Sequence, residues 1–420
     1  MRKRTKVGSA ILSLALGMSV FASAAFGQAP EQAAKDSYRV FIQGPSSEKA
    51  KAKQSVGQRW DFGAAGFTTT VNESQYKALQ KNKNLKIELV EEVQLDSRAT
   101  AKPGASIQAV PSQQVPWGIK AIYNDSAITK TSGGDGIKVA VLDTGVNTGH
   151  IDLRDNAEQC KDFTQASNPL VNGVCNDRNG HGTHVAGTVL ANGGYDGLGI
   201  YGVAPQSELW AYKVLNDRGS GYSDDIAAAI RHAADEASRL GVKTVISMSL
   251  GSSGKDSLIA SAVDYAYGKG TLVVAAAGND GPRSNTIGYP GALVNAIAVA
   301  SLDNTFVNGT HKVSDFSSRG NPATAGDYRI QERDIELSAP GGSIYSTSTS
   351  GGYTTMSGTS MATPHIAGLA AKIWSANKSL SNVQLRTELQ NRAKQYDIKG
   401  GTGAATGDDY ASGFGFPRVK

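Results

Sequence analysis

A doubly wound α/β fold, with a parallel sheet, helices on both faces and a small α+β unit ahead of it, is what this sequence predicts. Three observations predict it. Beyond residue 137, short apolar runs alternate with longer helical patterns, as strand–helix–strand crossovers require. Those runs are almost continuously apolar, as strands covered on both faces should be. Residues 38–98 have a different, polar and basic texture, and a stretch rich in Ala, Ser, Gln and Pro over 99–112 separates them from the rest.

The chain has 420 residues, 19% charged and 40% hydrophobic, too apolar for a disordered protein and long enough for a large core. Glycine numbers 49 without a triplet period, so collagen is excluded. The formal net charge of +5 is unevenly spread. Residues 1–110 hold 16 Lys+Arg and 9 Asp+Glu, a net of +7, whereas the remainder holds 26 and 28, a net of −2. The main body therefore offers no basic face for nucleic acid.

From the start, Arg2, Lys3, Arg4 and Lys6 precede an apolar run over 10–22, followed by Ala22, Ser23 and Ala24 and a second small-residue option near Gly27. This is a secretory signal over 1–27. The run is shorter than the ~20 residues a membrane span needs, so a secreted, extracellular protein without membrane attachment is expected. In the small unit, residues 38–43 alternate like a strand, 73–81 have helical character, and 85–93 suggest a second strand. In the body, strands are expected at 137–142, 209–215, 244–250, 271–277 and 296–301. Helices are expected at 183–191, 224–240, 257–267, 360–376 and 383–393. In such sheets ligands bind beyond the carboxyl ends of the strands. The two cysteines, Cys160 and Cys175, are either bridged, as export favours, or free thiols. A bridge would remove roughly 3 kcal/mol of unfolded-state entropy.

Four segments carry chemistry. Val139 to Gly145 is an apolar strand ending in Asp143, which puts a carboxylate at the ligand edge; a turn-forming aspartate is the plainer alternative. Asn179 to Thr188 places His181 just before a helix and His184 inside it. A metal pair is the rival reading, but H-x-x-H lacks the glutamate of H-E-x-x-H and an obvious third ligand. Met356 to His365 puts Ser360 at the start of an apolar helix, where unpaired N–H groups favour developing negative charge. A serine there is more often a simple N-cap, and His365 one turn on reads as a packed histidine. Ala275 to Gly281 ends a further strand and offers the Asn279 amide as an oxyanion donor. Asp143, His181 and Ser360 supply acid, base and nucleophile in the chain order Asp–His–Ser. That order differs from those of the α/β-hydrolases and chymotrypsin and fits that of subtilisin.

With D-T-G, H-G-T-H-V-A-G-T and G-T-S-M-A-T-P in place, the sequence resembles the subtilisin-like serine proteases, nearest to secreted bacterial subtilisins. The resemblance implies a subtilisin-like body over 113–420. Asp143 would orient His181, His181 would act as general base and then acid, and Ser360 would attack the scissile carbonyl. Asn279 and the Ser360 N–H would form the oxyanion hole. It implies that Gly219, Ser220, Gly221 and Ser249, Leu250, Gly251 flank a bound polypeptide by β-augmentation. Ala276, Gly278 and Gly288 would line a primary pocket, small and uncharged, with preference for large hydrophobic side chains. Residues 38–98 resemble the family's propeptide, a ferredoxin-like domain that inhibits the enzyme and assists its folding; an ordinary retained domain is the alternative. Self-cleavage would fall within 101–112, giving a monomeric mature enzyme from a zymogen. The resemblance further implies structural Ca2+, held by Gln113, Asp152, Asp196 and the carbonyls of Gly194, Leu198 and Ile200. The acidic clusters at Asn176-Asp177, Asp217, Asp224-Asp225 and Asp408-Asp409 are further calcium candidates or solvated loops. The cysteine pair and a long polar stretch over 321–336 depart from common subtilisins. A glycine-rich body with 13 prolines in the chain suggests flexibility and cold adaptation.

Overall fold

The computed structural model describes residues 37–95 and 109–420. The expected signal and most of the 99–112 stretch lie outside the described residues. No helix among the described residues is long and apolar enough to cross a membrane.

The small unit runs β1 (Tyr38–Gln43), α1 (Ser46–Val56), β2 (Trp60–Asp61), β3 (Phe67–Val71), α2 (Glu73–Gln80) and β4 (Lys86–Leu89). Its antiparallel sheet has the order β2-β3-β1-β4, a βαββαβ arrangement. Val40, Ile42, Phe67 and Val71 form its core with Ala52 and Leu79 from the helices. The single strand expected at 85–93 is two. Val90 N–H still bonds to the Arg39 carbonyl, but the Glu91 carbonyl accepts from Ser223 of the body. The chain thus changes sheets, and β5 (Glu92–Gln94) pairs with the body. Helix α1 escapes sequence reading because it has no apolar stripe and buries only Lys49 and Ala52.

The body begins with α3 (Trp117–Tyr123), β6 (Ile137–Asp143), β7 (Ala157–Asp162), β8 (Val171–Asn172) and α4 (His181–Leu190). It continues with β9 (Glu208–Lys213), β10 (Ser220–Tyr222), α5 (Ser223–Leu240), β11 (Lys243–Met248), α6 (Ser257–Gly268) and β12 (Leu272–Ala276). It ends with β13 (Ile297–Val307), β14 (Thr310–Val313), β15 (Leu337–Pro340), β16 (Ile344–Thr347), β17 (Tyr353–Met356), α7 (Thr359–Ala376) and α8 (Asn382–Ala393). The central path β13-β12-β11-β6-β9-β7 is parallel throughout, with β14 and β8 added antiparallel at the ends. The five expected body strands are its middle.

Alternation along each strand builds two cores. Val139, Val141, Leu209 and Val274 face α4 and α7, whereas Ala140, Leu142, Trp210 and Val273 face α5 and α6. Both faces are covered by helices, which is why the interiors of these strands are mostly apolar. Strand β6 lies between β9 and β11, so the chain winds away from it in both directions. That switch point opens a crevice at the carboxyl ends of β6, β11 and β12. The Cys160–Cys175 bridge is formed, linking β7 to the loop before α4.

Candidate functional site

Asp143 is the last residue of β6 and fully buried. Its carboxylate faces His181, whose Nδ1 lies 2.8 Å from Oδ1 and 3.0 Å from Oδ2. The Thr144 N–H also donates to Oδ1 at 2.7 Å. The H-G-T-H segment explains the approach. A Cβ on Gly182 would stand 2.1 Å from the Gly145 carbonyl oxygen, so only glycine lets the first turn of α4 press against the end of β6. Gly180, ahead of the helix, has φ 103°, a conformation that favours glycine. The helix begins at His181 itself, two residues earlier than the periodicity suggests.

Asp177 is the reason for that early start. Its Oδ1 accepts from the N–H groups of Gly180 (2.8 Å) and Asn179 (3.0 Å) and from Thr144 Oγ1 (2.9 Å). Its Oδ2 accepts from Thr183 N–H (2.9 Å) and Oγ1 (2.7 Å). This buried carboxylate caps α4 and ties it to the D-T-G turn. Sequence reading grouped it with possible calcium clusters; a carboxylate just ahead of a helix start was the available signal. Burial opposes charge on His181, but the Asp143 carboxylate, by its charge and hydrogen bond, and then Asp177 raise its pKa above the ordinary 6.5.

Ser360 is the second residue of α7 and buried. Pro364 sits inside that helix and has no N–H to give the carbonyl four residues earlier. That carbonyl belongs to Ser360, and it accepts from Ser249 Oγ at 2.8 Å instead. In return Ser360 Oγ donates to the Ser249 carbonyl at 3.2 Å. His181 Nε2, the ring nitrogen away from Asp143, makes no hydrogen bond among the described residues.

Asn279 follows β12. Its Oδ1 accepts from Thr359 N–H (2.9 Å) and Oγ1 (3.0 Å), which fixes the amide's rotation and turns Nδ2 the other way. A cavity of about 310 Å³ brings Ser360 and Asn279 together with Ser249, Leu250, Gly251, Ala276, Gly278 and Gly288, all named from the sequence. Asp280, which sequence reading did not name, also lines it. Gly219, Ser220 and Gly221 lie opposite β5. Ser220 pairs with Gln94 and Gly221 with Val93, while Leu95 N–H bonds to the Gly219 carbonyl at 2.7 Å. Gln94 bridges Gly251 from the other side. The small unit's strand thus runs between both predicted backbone edges.

His184 and His365 are held inside their helices. His184 Nε2 bonds to the Ile344 carbonyl and burial pushes its pKa down to about 3. His365 Nδ1 bonds to the Met361 carbonyl and burial pushes its pKa down to about 4. Both are integral to their helices and neither joins a metal cluster among the described residues.

The loop from Gly193 to Ile200 wraps Asp152. Asp152 Oδ2 accepts from Ile200 N–H at 2.9 Å, while its buried Oδ1 makes no hydrogen bond among the described residues. A Cβ on Gly199 would lie 1.8 Å from that Oδ1. Asp196 Oδ1 accepts from Leu198 N–H at 3.0 Å. Gln114, rather than Gln113, reaches the loop, donating to the Gly197 carbonyl at 2.6 Å, and Gln113 is exposed.

Residues 134–415 match the subtilase family. The chain belongs to that family. Subtilases are serine endopeptidases, and this one has the subtilisin fold. It is similar to the subtilisin of Bacillus sp. (strain TA39), 60% identical over 387 residues that cover 92% of this chain and 91% of the relative. It is 32% identical over 407 residues to alkaline elastase YaB of Bacillus sp. (strain YaB), covering 92% and 94% of the two chains. Among solved structures, sphericase matches at 70% identity and a TM-score of 0.73, over 74% of this chain and 99% of that one. A protein named S41 Psychrophilic Protease matches at 65% identity and a TM-score of 0.72, over 74% and 99%.

Proposed function

We propose that this subtilase hydrolyses polypeptides through Asp143, His181 and Ser360 and is made as a self-processing, secreted precursor. The observation that carries the reading is the buried Asp143–His181 hydrogen bond, in a fold where Ser360 and Asn279 share a cavity. Ser360 Oγ leaves the Ser249 carbonyl, passes its proton to His181 Nε2 and bonds to the substrate carbonyl carbon. Asp143 holds the imidazole by Nδ1 and stabilises the imidazolium. Asn279 Nδ2 and the Ser360 N–H meet the oxyanion. His181 then protonates the leaving amine, and water, deprotonated by the same ring, releases the acyl group. Substrates add a strand between Gly219–Gly221 and Ser249–Gly251. The small residues Ala276, Gly278 and Gly288 leave room for a large hydrophobic side chain.

Residues 38–95 act as an intramolecular inhibitor, because β5 occupies the strand position a substrate would take. Leu95, the last described residue of the small unit, lines the cavity with Ser360, which favours self-cleavage beyond it. Trimming within 101–112 then leaves the body. The sphericase chain, matched over 99% of its own length, covers 74% of this chain, which favours removal of a segment.

A structural Ca2+ suits the loop around Asp152. Its buried, unbonded carboxylate oxygen fits a hard cation, with Asp196 and the carbonyls of Gly194, Leu198 and Ile200 as further oxygen donors. The ion would neutralise those charges and fasten the loop. The glycine-rich body, with a psychrophilic protease among its solved neighbours, favours a cold-adapted enzyme.

The test is Ser360→Ala. The variant is expected to be secreted as an uncut precursor, with casein hydrolysis falling by about a millionfold, the scale known for a relative, subtilisin. Normal processing and activity in that variant would refute the reading.

A further inference from the structure

The guanidinium of Arg59, on the small unit, lies in a pocket whose hydrogen-bond acceptors all belong to the body. Its Nε donates to Asp225 Oδ1 at 2.8 Å and its Nη2 to the Phe163 carbonyl at 2.8 Å. Its Nη1 donates to the carbonyls of Gln165 at 2.7 Å and Ala166 at 3.3 Å. The Arg59 side chain is 7% exposed and that of Asp225 2%. Arg39 joins the same helix start, with Nε 3.0 Å from Asp224 Oδ2 and a further contact to Asp225. Trp60 Nε1 donates to Asp225 Oδ1 at 2.6 Å.

The body holds this pocket in shape by its own bonds. Buried Asp162 accepts from Thr164 N–H and Oγ1 through Oδ1, both at 2.7 Å, and from Gln165 Nε2 through Oδ2 at 2.7 Å. Phe163 N–H bonds to the Lys213 carbonyl at 2.9 Å. The carbonyls are thus aimed by contacts that do not involve the small unit. One carboxylate and three neutral carbonyls, met by directional N–H bonds, suit a planar guanidinium. A hard divalent cation asks for more oxygens and more charge.

The pocket also lies on the substrate path. Helix α5, which carries Asp225, begins directly after β10. Glu92 lies opposite Tyr222, and the Glu91 carbonyl accepts from Ser223 N–H at 2.9 Å. A polypeptide paired like β5 therefore runs, towards its N-terminus, past the first turn of α5.

We propose that, once the small unit has left, this pocket is an exosite for an arginine side chain of a polypeptide substrate, carried upstream of the segment paired with Ser220–Tyr222. The proposal rests on the protease reading and on departure of the small unit. Arg59 is then the internal occupant that keeps the exosite filled in the precursor.

The experiment uses the mature enzyme and pairs of fluorogenic peptides, identical except for arginine or neutral citrulline one to three residues upstream of the position opposite Tyr222. In low salt, at one of these positions the arginine peptide is expected to show a KM about tenfold lower at unchanged kcat. Asp225→Asn is expected to erase that difference. Equal KM values at all three positions would overturn the exosite, and this arm needs no variant. An arginine preference that survives Asp225→Asn would overturn it too. So would loss of the preference in calcium chloride but not in sodium chloride of equal ionic strength, which would mark a metal site. Phosphonate-sensitive cutting of both peptides tests the protease reading separately; if neither is cut, that reading fails and the exosite falls with it.

Discussion

The two helices that deliver the site start by different devices. At α4, a buried aspartate caps the first turn and a second aspartate fixes the ring of its first residue, so carboxylates hold both the His181 ring and the turn that carries it. At α7, the cap is a neutral amide, Asn279 Oδ1 accepting from the Thr359 N–H, and a proline inside the helix leaves one carbonyl without its helical partner. Ser249 takes that carbonyl and gives its own to the Ser360 hydroxyl. In the proposed mechanism the base is thus locked by charge, and the nucleophile is parked on a neutral carbonyl, a weaker interaction. The group that must stay put has the stronger hold, and the one that must swing has the weaker.

The contrast can be broken at either helix. Asp177→Asn should have the larger effect, because several buried bonds lose their charge or geometry at once. A misplacement of the ring by about an ångström costs about a hundredfold in kcat/KM. Removing a charge that raises the His181 pKa should also move the acid limb of the pH profile to lower pH. An unshifted limb with full activity would show that Asp177 does not position the base. Ser249→Ala should cost less. Losing one neutral hydrogen bond is worth about 1 kcal/mol in stability, read as a lower melting temperature. Since the Ser249 carbonyl remains, kcat should fall by about tenfold or less. A loss as large as that of Asp177→Asn would mean that the nucleophile is as tightly locked as the base.

The same contrast explains what was legible in the sequence. Asp143, His181, Ser360 and Asn279 end or begin buried elements, and apolar periodicity marks those elements. The supports do not announce themselves. Asp177 looks like any polar loop residue, and the exchange between Ser249 and Ser360 joins residues 111 apart in sequence. Strand β7 (sequence AEQCKD) is too polar to register as a strand, yet it extends the sheet and carries Cys160. The break between β4 and β5 depends on a partner in the body, so no local pattern could reveal it. Asp280 faces the cavity only because the chain turns after β12.

The most direct test of the central claim is the pH dependence of inactivation by a serine-directed phosphonate, with the adduct mapped by mass spectrometry. In the proposed mechanism His181 accepts the Ser360 proton only when neutral. Its folded pKa is raised, so the protonated ring persists to higher pH than usual. The stability that its pairing adds is full below the unfolded value and fades as pH rises through the folded one. The account predicts one adduct, on Ser360, forming at a rate that rises with pH through a midpoint above 6.5. An adduct on another residue, or a midpoint below that value, would contradict it.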